Sequence, residues 1–313
     1  MHITCVAGAR PNFMKVAPII RAASQVPSLQ TSLVHTGQHY DERMSTLLFT
    51  QLGLPAPDVH LSVGSGSHAV QTAKVMMAFE EVLTQQPTDL VLVVGDVNST
   101  LACALVAAKR GVRVAHVEAG LRSGDRTMPE ELNRVLTDQL SDLLFTTERS
   151  AEDNLRREGI SADRVHFVGN VMIDTLVRNR EVARALKVSA DFRLAPRSYA
   201  VCTLHRPSNV DTEAAATNTG EALRILASRL PVVLPLHPRT KTAWARFGLL
   251  QDIETLTNVT VTEPLGYMEF LSLLDSAALV FTDSGGIQEE TTALGVPCLT
   301  FRESTERPIT IEE

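Results

Sequence analysis

The sequence predicts an α/β protein with parallel sheets in two halves, and two observations carry this prediction. Short apolar runs of strand length alternate with longer amphipathic segments along nearly the whole chain, as in proteins built from βαβ units. The chain has 313 residues, and at about 150 residues a domain this length favours two domains over one. With 44% hydrophobic and 21% charged residues, it has enough apolar side chains for two cores.

Six strands are predicted in the first half, separated by segments of helical periodicity. They run from His2 to Ala7, Thr31 to His35, Asp89 to Val94, Arg113 to Val117, Leu143 to Thr146 and Val165 to Val168. After Gly169 the segment NVMIDTLVRNREVARAL has helical periodicity, and a polar stretch then leads into the next strand. We therefore predict one domain at residues 1–169 and a second at residues 170–313.

Five further strands are predicted in the second half, with the same alternation of apolar runs and helical segments. They run from Tyr199 to Leu204, Val232 to Leu236, Val259 to Val261, Ala278 to Thr282 and Cys298 to Phe301.

Composition and charge exclude several classes of partner. A net charge of −7 argues against a general surface for nucleic acid or anionic membranes, because both need a large cationic patch. No apolar stretch approaches the roughly 18 residues of a membrane span, and no signal-peptide core precedes the first turn. The four cysteines are widely spaced and lie mostly in apolar runs, which is typical of buried, reduced thiols. We expect a soluble, cytoplasmic protein in which any phosphate is bound by a local group of cations rather than by a large basic surface.

Chemically useful side chains follow the predicted strands. In open parallel sheets, ligands bind beyond the carboxyl ends of the strands, where loops and helix N-termini present their groups. The groups found there include Arg10, Lys15, Gln38, His39, Asp96, Glu118, His205, His237, Asp283, Ser284, Gly285 and Gly286. Chance placement would scatter them, so we expect ligand-binding groups at these strand ends.

The segment TDSGGIQEE has the features of a phosphate-binding turn between a strand and a helix. The backbone N–H groups from Ser284 to Ile287 are expected to point at a bound anion. Gly285 and Gly286 let the backbone approach it closely. Glu290, about one helical turn further on, is placed to accept hydrogen bonds from ribose hydroxyls. The alternative is an ordinary glycine-rich turn with a serine N-cap.

Cations and histidines at other strand ends suit a diphosphate. Arg10 and Lys15 flank a helix start set by Pro11, although single surface charges are usually only solvated. His205 and His237 each follow an apolar strand and precede an arginine within two residues. A histidine beside an arginine can bind a pyrophosphate or protonate a leaving phosphate oxygen. The alternative for each is a structural histidine.

Several carboxylates are also expected to converge. Asp96 and Glu118 follow neighbouring strands, and Glu130 and Glu131 begin a helix after Pro129. Crowded carboxylates raise one another's pKa and provide acid and base forms near neutral pH. The alternative for the two glutamates is stabilisation of the helix dipole, and we expect one of them to do only that.

Two other motif matches fail. GSGSHA from Gly64 to Ala69 fits G-x-G-x-x-A, but it follows a weak strand, and the acidic residues near Glu80 lie inside a helix rather than at a strand end. HVE at His116 and PC at Pro297 resemble a zinc deaminase, but Phe301 stands where the second cysteine is needed. We predict no NAD, no metal and no other cofactor.

Together, the motifs resemble the non-hydrolysing UDP-N-acetylglucosamine 2-epimerase family along the whole chain. In order they are GARPNFMKVAPII, HTGQHYD, GDVNST, HVEAGLRSGD, PEELNR, GNVMID, TLHRPSNVD, LPLHPRT, TDSGGIQEE and TERP. The resemblance implies a fold of the glycosyltransferase-B type, with two Rossmann-like domains facing a cleft for the UDP-sugar. It also implies a cytoplasmic homodimer that supplies activated N-acetylmannosamine for surface polysaccharide. Members of the family run on for some tens of residues, so we expect the UDP-binding second domain to lack its final helices.

The resemblance also implies epimerisation at C2 of the sugar. Because that proton is not beside a carbonyl and the NAD fingerprint is missing, we expect elimination of UDP to a 2-acetamidoglucal, followed by re-addition. By motif match the catalytic residues are Asp96, Glu118, Glu130 and His205. The substrate-binding residues are Arg10, Lys15, His237, Ser284, Gly285, Gly286 and Glu290. Gln38 and His39 match a GQH motif through which UDP-N-acetylglucosamine activates some bacterial members.

Three alternatives stay open at this point. A hydrolysing relative would release N-acetylmannosamine and UDP, and a glycosyltransferase of the same fold would need an acceptor. A binding-only protein would hold UDP without turnover. The residues also leave open which carboxylate removes the C2 proton and which returns it.

Overall fold

The computed structural model describes residues 1–37, 48–302, 307 and 310, with Arg10 described by its backbone alone. The chain forms two compact units. Unit 1 takes in Met1–Thr175 and also Arg307, and unit 2 takes in the residues from Leu176 to Arg302 and also Thr310.

Unit 1 contains a sheet of seven strands in the order β3-β2-β1-β4-β5-β6-β7, and every pair of neighbours is parallel. The strands are β1 (His2–Ala7), β2 (Gln30–His35), β3 (Val59–His60), β4 (Leu90–Val94), β5 (Arg113–Ala119), β6 (Leu143–Thr146) and β7 (Val165–Phe167). Strand β4 reads LVLVV and is buried at every position, as expected for a parallel strand covered on both faces.

Helices follow most of these strands. They are α1 (Arg10–Ala23), α2 (His68–Gln85), α3 (Asn98–Lys109), α4 (Pro129–Leu140), α5 (Arg149–Arg157) and α6 (Val171–Leu186), and residues 48–52 are helical as well. Val75 and Phe79 of α2 pack in one apolar cluster with Val91 and Val93 of β4. The division between the two units falls inside α6.

Unit 2 contains a parallel sheet of five strands in the order β10-β9-β8-β11-β12. The strands are β8 (Ala200–Thr203), β9 (Val232–Pro235), β10 (Val259–Thr262), β11 (Leu279–Thr282) and β12 (Cys298–Thr300). The helices are α7 (Val188–Asp191), α8 (Pro207–Val210), α9 (Glu213–Ala227), α10 (Pro238–Arg246), α11 (Leu249–Glu254), α12 (Tyr267–Ser276) and α13 (Gly285–Leu294). Trp244 and Leu223 are fully buried in its core.

The predicted α/β class is confirmed, and every predicted strand is present with small changes at its ends. Strand β3 was not predicted, because two residues are too short to show a period. Strand β5 also runs further than predicted, so Glu118 lies within the strand rather than after it. No helix in the described part of the chain is long and apolar enough to span a bilayer.

Candidate active site

The sheet of unit 1 brings two predicted carboxylates together. Strands β4 and β5 are neighbours, and Val94 pairs with Val117 in register. Asp96 lies just beyond the end of β4, and Glu118 lies one residue after Val117. The carboxyl ends of these two parallel strands therefore place both side chains at one edge of the sheet.

Glu118 has an unusual backbone. Its φ is +71°, and the pairing of β5 with β6 shifts register between Val117 and Ala119. The irregularity lets β5 resume pairing beyond Glu118, which explains the longer strand. A left-handed conformation costs a residue other than glycine about 1–3 kcal/mol, and such strain concentrates at functional sites.

Two cations neutralise the buried carboxylate of Glu118. Lys15 forms an ion pair with one of its oxygens, and Arg307 Nη2 lies 3.5 Å from the other. Burial alone raises the pKa of Glu118, but the charges of Lys15 and Arg307 more than offset it and hold the pKa below its usual value. The residue is therefore an ionised carboxylate at neutral pH.

The turn after β1 positions Lys15. Asn12 Oδ1 accepts hydrogen bonds from the N–H groups of Gly8 at 3.1 Å and Ala9 at 2.9 Å. Asn12 Nδ2 also donates to the carbonyl oxygen of Val94 at 3.3 Å. These contacts tie the start of α1 to the end of β4, beside Asp96.

Asp96 is paired with an arginine that the sequence analysis did not single out. Arg134 Nη1 lies 2.5 Å from Asp96 Oδ2, and the neighbouring Asn133 donates to the Asp96 carbonyl oxygen at 2.8 Å. Arg134 is buried, whereas Asp96 is partly exposed. The carboxylate of Asp96 is thus oriented by α4 and still accessible.

Glu130 and Glu131 differ in their contacts. Glu131 accepts hydrogen bonds from the N–H groups of Ser123 at 3.0 Å and Gly124 at 2.9 Å, and it also binds Arg134. Despite burial, these contacts hold the pKa of Glu131 below its usual value. Glu130 is half-buried and has no hydrogen-bond or ion-pair partner within the described ranges. Glu131 therefore has a structural role, and Glu130 is available to a ligand.

In unit 2, Asp283 fixes the loop that carries His205. The buried carboxylate accepts the N–H of His205 at 3.0 Å and that of Arg206 at 2.8 Å, and it contacts Asn209 Nδ2 at 3.0 Å. His205 Nδ1 lies 2.9 Å from Asp283 Oδ1. Burial raises the pKa of Asp283, but these hydrogen bonds and the His205 charge hold it below its usual value. From the sequence, Asp283 is predicted only as an acid at a strand end.

His205 and His237 lie side by side, because they follow the neighbouring strands β8 and β9. Their ring centroids are 5.4 Å apart. His237 precedes α10, and its Nδ1 accepts the N–H of Arg239 at 3.2 Å. Arg239 itself is engaged by Asp211 at 2.9 Å. Arg239 is therefore occupied by Asp211, and the two imidazoles lie next to each other beyond the ends of β8 and β9.

The turn after β11 differs in one respect from the prediction. The N–H of Ser284 donates to Thr282 Oγ1 at 3.0 Å, so it is not available to an anion. The unused donors begin at Gly285 and Gly286, in the first turn of α13, where N–H groups have no partner within the helix. A binding site for an anion at this turn therefore starts one residue later than expected.

Glu290 lies buried in α13 beside Glu289. Burial and the neighbouring Glu289 charge raise the pKa of Glu290 to about 8. Its Oε1 has no hydrogen-bond partner in the described residues, and neither has the hydroxyl of Tyr267 nearby. Glu290 is therefore a neutral acid at neutral pH, able to donate as well as accept a hydrogen bond.

Three predicted residues have no side-chain geometry. Arg10 is the first residue of α1, one residue before the predicted start at Pro11, and its side chain lies outside the described atoms. Gln38 and His39 lie outside the described residues.

Comparison with known proteins gives consistent results. A family model described as UDP-N-acetylglucosamine 2-epimerase matches residues 21–313. The chain is 42% identical over 317 residues to UDP-N-acetylglucosamine 2-epimerase of Methanocaldococcus jannaschii, covering 100% of this chain and 86% of the relative. It is 43% identical over 310 residues to UDP-2,3-diacetamido-2,3-dideoxy-D-glucuronate 2-epimerase of Pseudomonas aeruginosa, covering 98% and 84%.

Solved structures give the same relationship. The M. jannaschii UDP-GlcNAc 2-epimerase in complex with UDP-GlcNAc and UDP has a TM-score of 0.92 at 42% identity and covers 100% of this chain and 87% of that one. The Neisseria meningitidis UDP-GlcNAc 2-epimerase bound to UDP-GlcNAc has a TM-score of 0.91 at 30% identity, covering 99% and 85%. These neighbours have the glycosyltransferase-B-like fold. The chain therefore belongs to the UDP-N-acetylglucosamine 2-epimerase family, a family of isomerases.

Proposed function

We propose that the protein interconverts UDP-N-acetylglucosamine and UDP-N-acetylmannosamine by eliminating UDP to a 2-acetamidoglucal and adding it back. The observation that carries this proposal is the pairing of Asp96 and Glu118, at the ends of adjacent strands, with Arg134 and Lys15. Relatives solved with UDP-GlcNAc bound support the class of substrate.

Three carboxylates are proposed for the proton transfers. Elimination needs a base at C2, and re-addition needs an acid on the opposite face. Glu118 is ionised in the resting site, which suits a base or an electrostatic role. Glu130 is half-buried and has no cationic partner within the described part of the chain, which leaves its carboxyl group available to contact the sugar. Asp96 is oriented by Arg134 and partly exposed.

The remaining residues are proposed to hold the nucleotide and help UDP depart. Arg10 and Lys15 would bind the diphosphate, since charge developing on a leaving phosphate is stabilised by fixed cations. In unit 2, the turn at Ser284, Gly285 and Gly286 would bind phosphate through the N–H groups of Gly285 and Gly286, and Glu290 would bind ribose hydroxyls. His237 would contact the nucleotide beside His205, which is proposed as the proton donor to the leaving diphosphate.

Product analysis separates this proposal from its alternatives. UDP-N-acetylglucosamine is incubated with enzyme and followed by proton and phosphorus NMR, with the Asp96→Asn variant as an inactive protein of the same fold. We expect a mixture of two intact UDP-sugars and little free UDP. Free N-acetylmannosamine with stoichiometric UDP would instead identify a hydrolysing enzyme. No change until an acceptor is supplied would identify a glycosyltransferase, and UDP binding without turnover a binding-only protein.

A second candidate substrate is a UDP-linked 2,3-diacetamido uronate. The P. aeruginosa relative named for that substrate is 43% identical to this chain, against 42% for the M. jannaschii relative, so identity does not separate them. The chemistry at C2 is the same for both sugars. Comparing kcat/KM for the two UDP-sugars decides between them, because the preferred substrate is the one with the higher value.

We propose a homodimer formed through unit 1. Helices α2, α3 and α4 line one surface depression, in which Leu132 and Leu136 of α4 are exposed. A contiguous apolar surface of this kind is typical of a subunit interface. Leu136→Glu is expected to give monomers in analytical ultracentrifugation, whereas Ile225→Glu, at an exposed apolar site of unit 2, leaves the dimer intact. A monomeric wild type would contradict the proposal.

We also propose a cytoplasmic location. All four cysteines are free thiols, and three of them are buried. Reduced cysteines are typical of cytoplasmic proteins. Fractionation of cells with an antibody against the native protein tests the location, and recovery outside the cytoplasm would contradict it.

A further inference from the structure

His116 and Asp138 lie beside the backbone that carries the carboxylates of unit 1, and the proposed reaction gives neither a role. His116 is in β5, two residues before Glu118, and Asp138 is in α4. Both side chains are fully buried. His116 belongs to the HVE pattern, and its contacts are with a carboxylate and a backbone carbonyl.

Both ring nitrogens of His116 face oxygen acceptors. Nδ1 lies 2.6 Å from Asp138 Oδ1, and Nε2 lies 2.8 Å from the carbonyl oxygen of Gly95. A carbonyl can only accept, and an ionised carboxylate can only accept, so satisfying both contacts needs a proton on each nitrogen. Burial raises the pKa of Asp138, but the charges of His116 and Arg122 hold it below its usual value. Asp138 is therefore a carboxylate, and the two contacts fix the His116 ring between it and the Gly95 carbonyl.

The second oxygen of Asp138 extends these contacts past Glu118. Asp138 Oδ2 accepts the N–H of Gly120 at 3.0 Å and a hydrogen bond from Arg122 Nη2 at 2.7 Å. The two side chains thus hold backbone on both sides of Glu118. Through Gly95 they also hold the residue that immediately precedes Asp96.

This backbone needs outside support. Gly95, Glu118 and Gly120 have φ values of +66°, +71° and +80°. Left-handed geometry at Glu118 costs about 1–3 kcal/mol and persists only where the surroundings enforce it. His116 contacts Gly95, which precedes Asp96, and Asp138 contacts Gly120, two residues after Glu118, so the pair constrains the backbone beside both carboxylates.

We propose that His116 and Asp138 are positioning residues that hold the carboxylates of Glu118 and Asp96 in place. The two residues do not touch the substrate. Their loss would move the carboxylates without removing nucleotide-binding groups, so turnover would fall while affinity for UDP persisted. The catalytic part of this inference rests on the proposed C2 chemistry.

Asp138→Asn is the primary variant, because it keeps the side-chain size but replaces one acceptor oxygen with a donor. We expect kcat to fall by about 100-fold, as when a reacting group moves by about 1 Å, with the UDP dissociation constant changed less than about threefold. His116→Gln should retain about tenfold more activity than His116→Ala, because its amide N–H can reach the Gly95 carbonyl.

Asp142→Asn is the matched control. Asp142 Oδ2 accepts the N–H of Val114 at 2.8 Å, at the opposite end of the same strand. This variant should lose some stability and keep kcat. An equal fall of kcat in Asp142→Asn and Asp138→Asn would overturn the inference, as would full kcat in folded Asp138→Asn.

A crystal structure of Asp138→Asn gives a readout independent of activity. We expect Glu118 to leave the left-handed region and its ion pair with Lys15 to break. An unchanged backbone at Glu118 would overturn the inference. If the wild type shows no C2 chemistry, the proposed function fails, whereas the positioning role is still decided by this structure.

Discussion

Lys15 and Glu118 form a buried ion pair that joins helix α1 to strand β5 across 103 residues of sequence. Removing one partner of such a pair leaves the other charge buried and without a counter-charge, which is strongly destabilising. If Lys15 is removed, Arg307 remains near Glu118, so the loss of stability is reduced but not abolished. The stability of unit 1 therefore depends on the charges of Lys15 and Glu118.

Lys15→Met is expected to destabilise unit 1 by about 3 kcal/mol, the lower end of the usual cost of breaking a buried pair, because of Arg307. Adding Glu118→Gln should restore most of that loss, since the uncompensated carboxylate is then gone. Urea unfolding of both single variants and the double variant, followed by far-UV circular dichroism, measures the coupling. Additive effects of the two substitutions would contradict it.

Glu130 and Glu131 form a natural pair of variants. Glu131→Gln should cost roughly 2–3 kcal/mol, because charged hydrogen bonds to the loop at Ser123 and Gly124 are weakened. Glu130→Gln should leave stability unchanged and abolish turnover. Thermal unfolding and initial rates on the same preparations test this. A stable, fully active Glu130→Gln enzyme would remove Glu130 from the proposed mechanism.

Asp96→Asn and Glu118→Gln should abolish exchange at C2 and leave the UDP dissociation constant within a few-fold of wild type. The reason is that both groups are proposed to act on protons of the sugar rather than on phosphate. Isothermal titration with UDP and exchange measured by NMR give the two numbers. Comparable loss of UDP binding would mean that these residues hold nucleotide instead.

Alanine variants of Gly120 and Gly111 distinguish the cost of backbone strain from the cost of a steric clash. Both have positive φ, +80° and +71°, so alanine costs each about 1–2 kcal/mol in the left-handed region. A Cβ at Gly120 would also lie 2.5 Å from the carbonyl oxygen of Ala151, whereas nothing lies within 4 Å of one at Gly111. Gly120→Ala should therefore lower the melting temperature clearly more than Gly111→Ala. Equal shifts would show that the Gly120 backbone moves freely.

Glu290 predicts a pH dependence for unit 2. The folded state keeps this proton up to about pH 8, whereas an unfolded glutamate loses it near pH 4.5. The folded state therefore binds more protons between these values, and its stability falls as pH rises, by up to about 1.4 kcal/mol per pH unit. Glu290→Gln should flatten that slope.

Trp244 provides the measurement for this prediction. It is the single tryptophan of the chain and is fully buried in the core of unit 2, so its fluorescence reports the unfolding of that unit. Urea midpoints between pH 5 and pH 8 are compared for wild type and Glu290→Gln. Identical slopes would show that the wild-type carboxyl is ionised throughout.

Most of the fold was readable because parallel strands leave a strong signal. Runs such as LVLVV at Leu90–Val94 are continuous, apolar and bounded by turns. The two-residue strand at Val59–His60 has no period to detect. The extension of β5 through Glu118 was also missed, because a left-handed residue other than glycine has no local sequence signal.

The groups that surround the predicted site were harder to predict from the sequence. Arg134 lies three residues after Glu131, with which it pairs on one helix, so helical spacing could have indicated it. Arg307 reaches Glu118 from the far end of the sequence, and Asp283 acts by holding the His205 loop. Contacts of this kind depend on tertiary structure, and no local pattern reports them. The same is true of the contacts of His116.

The central claim is that the enzyme breaks and remakes the bond between C2 and its hydrogen. UDP-N-acetylglucosamine incubated with wild-type enzyme in D2O is followed by proton NMR and mass spectrometry. We predict that one deuterium enters at C2 as the manno epimer forms, with the UDP-sugar intact. Formation of the epimer without solvent deuterium at C2, or unlabelled sugar with an active preparation, would contradict the claim.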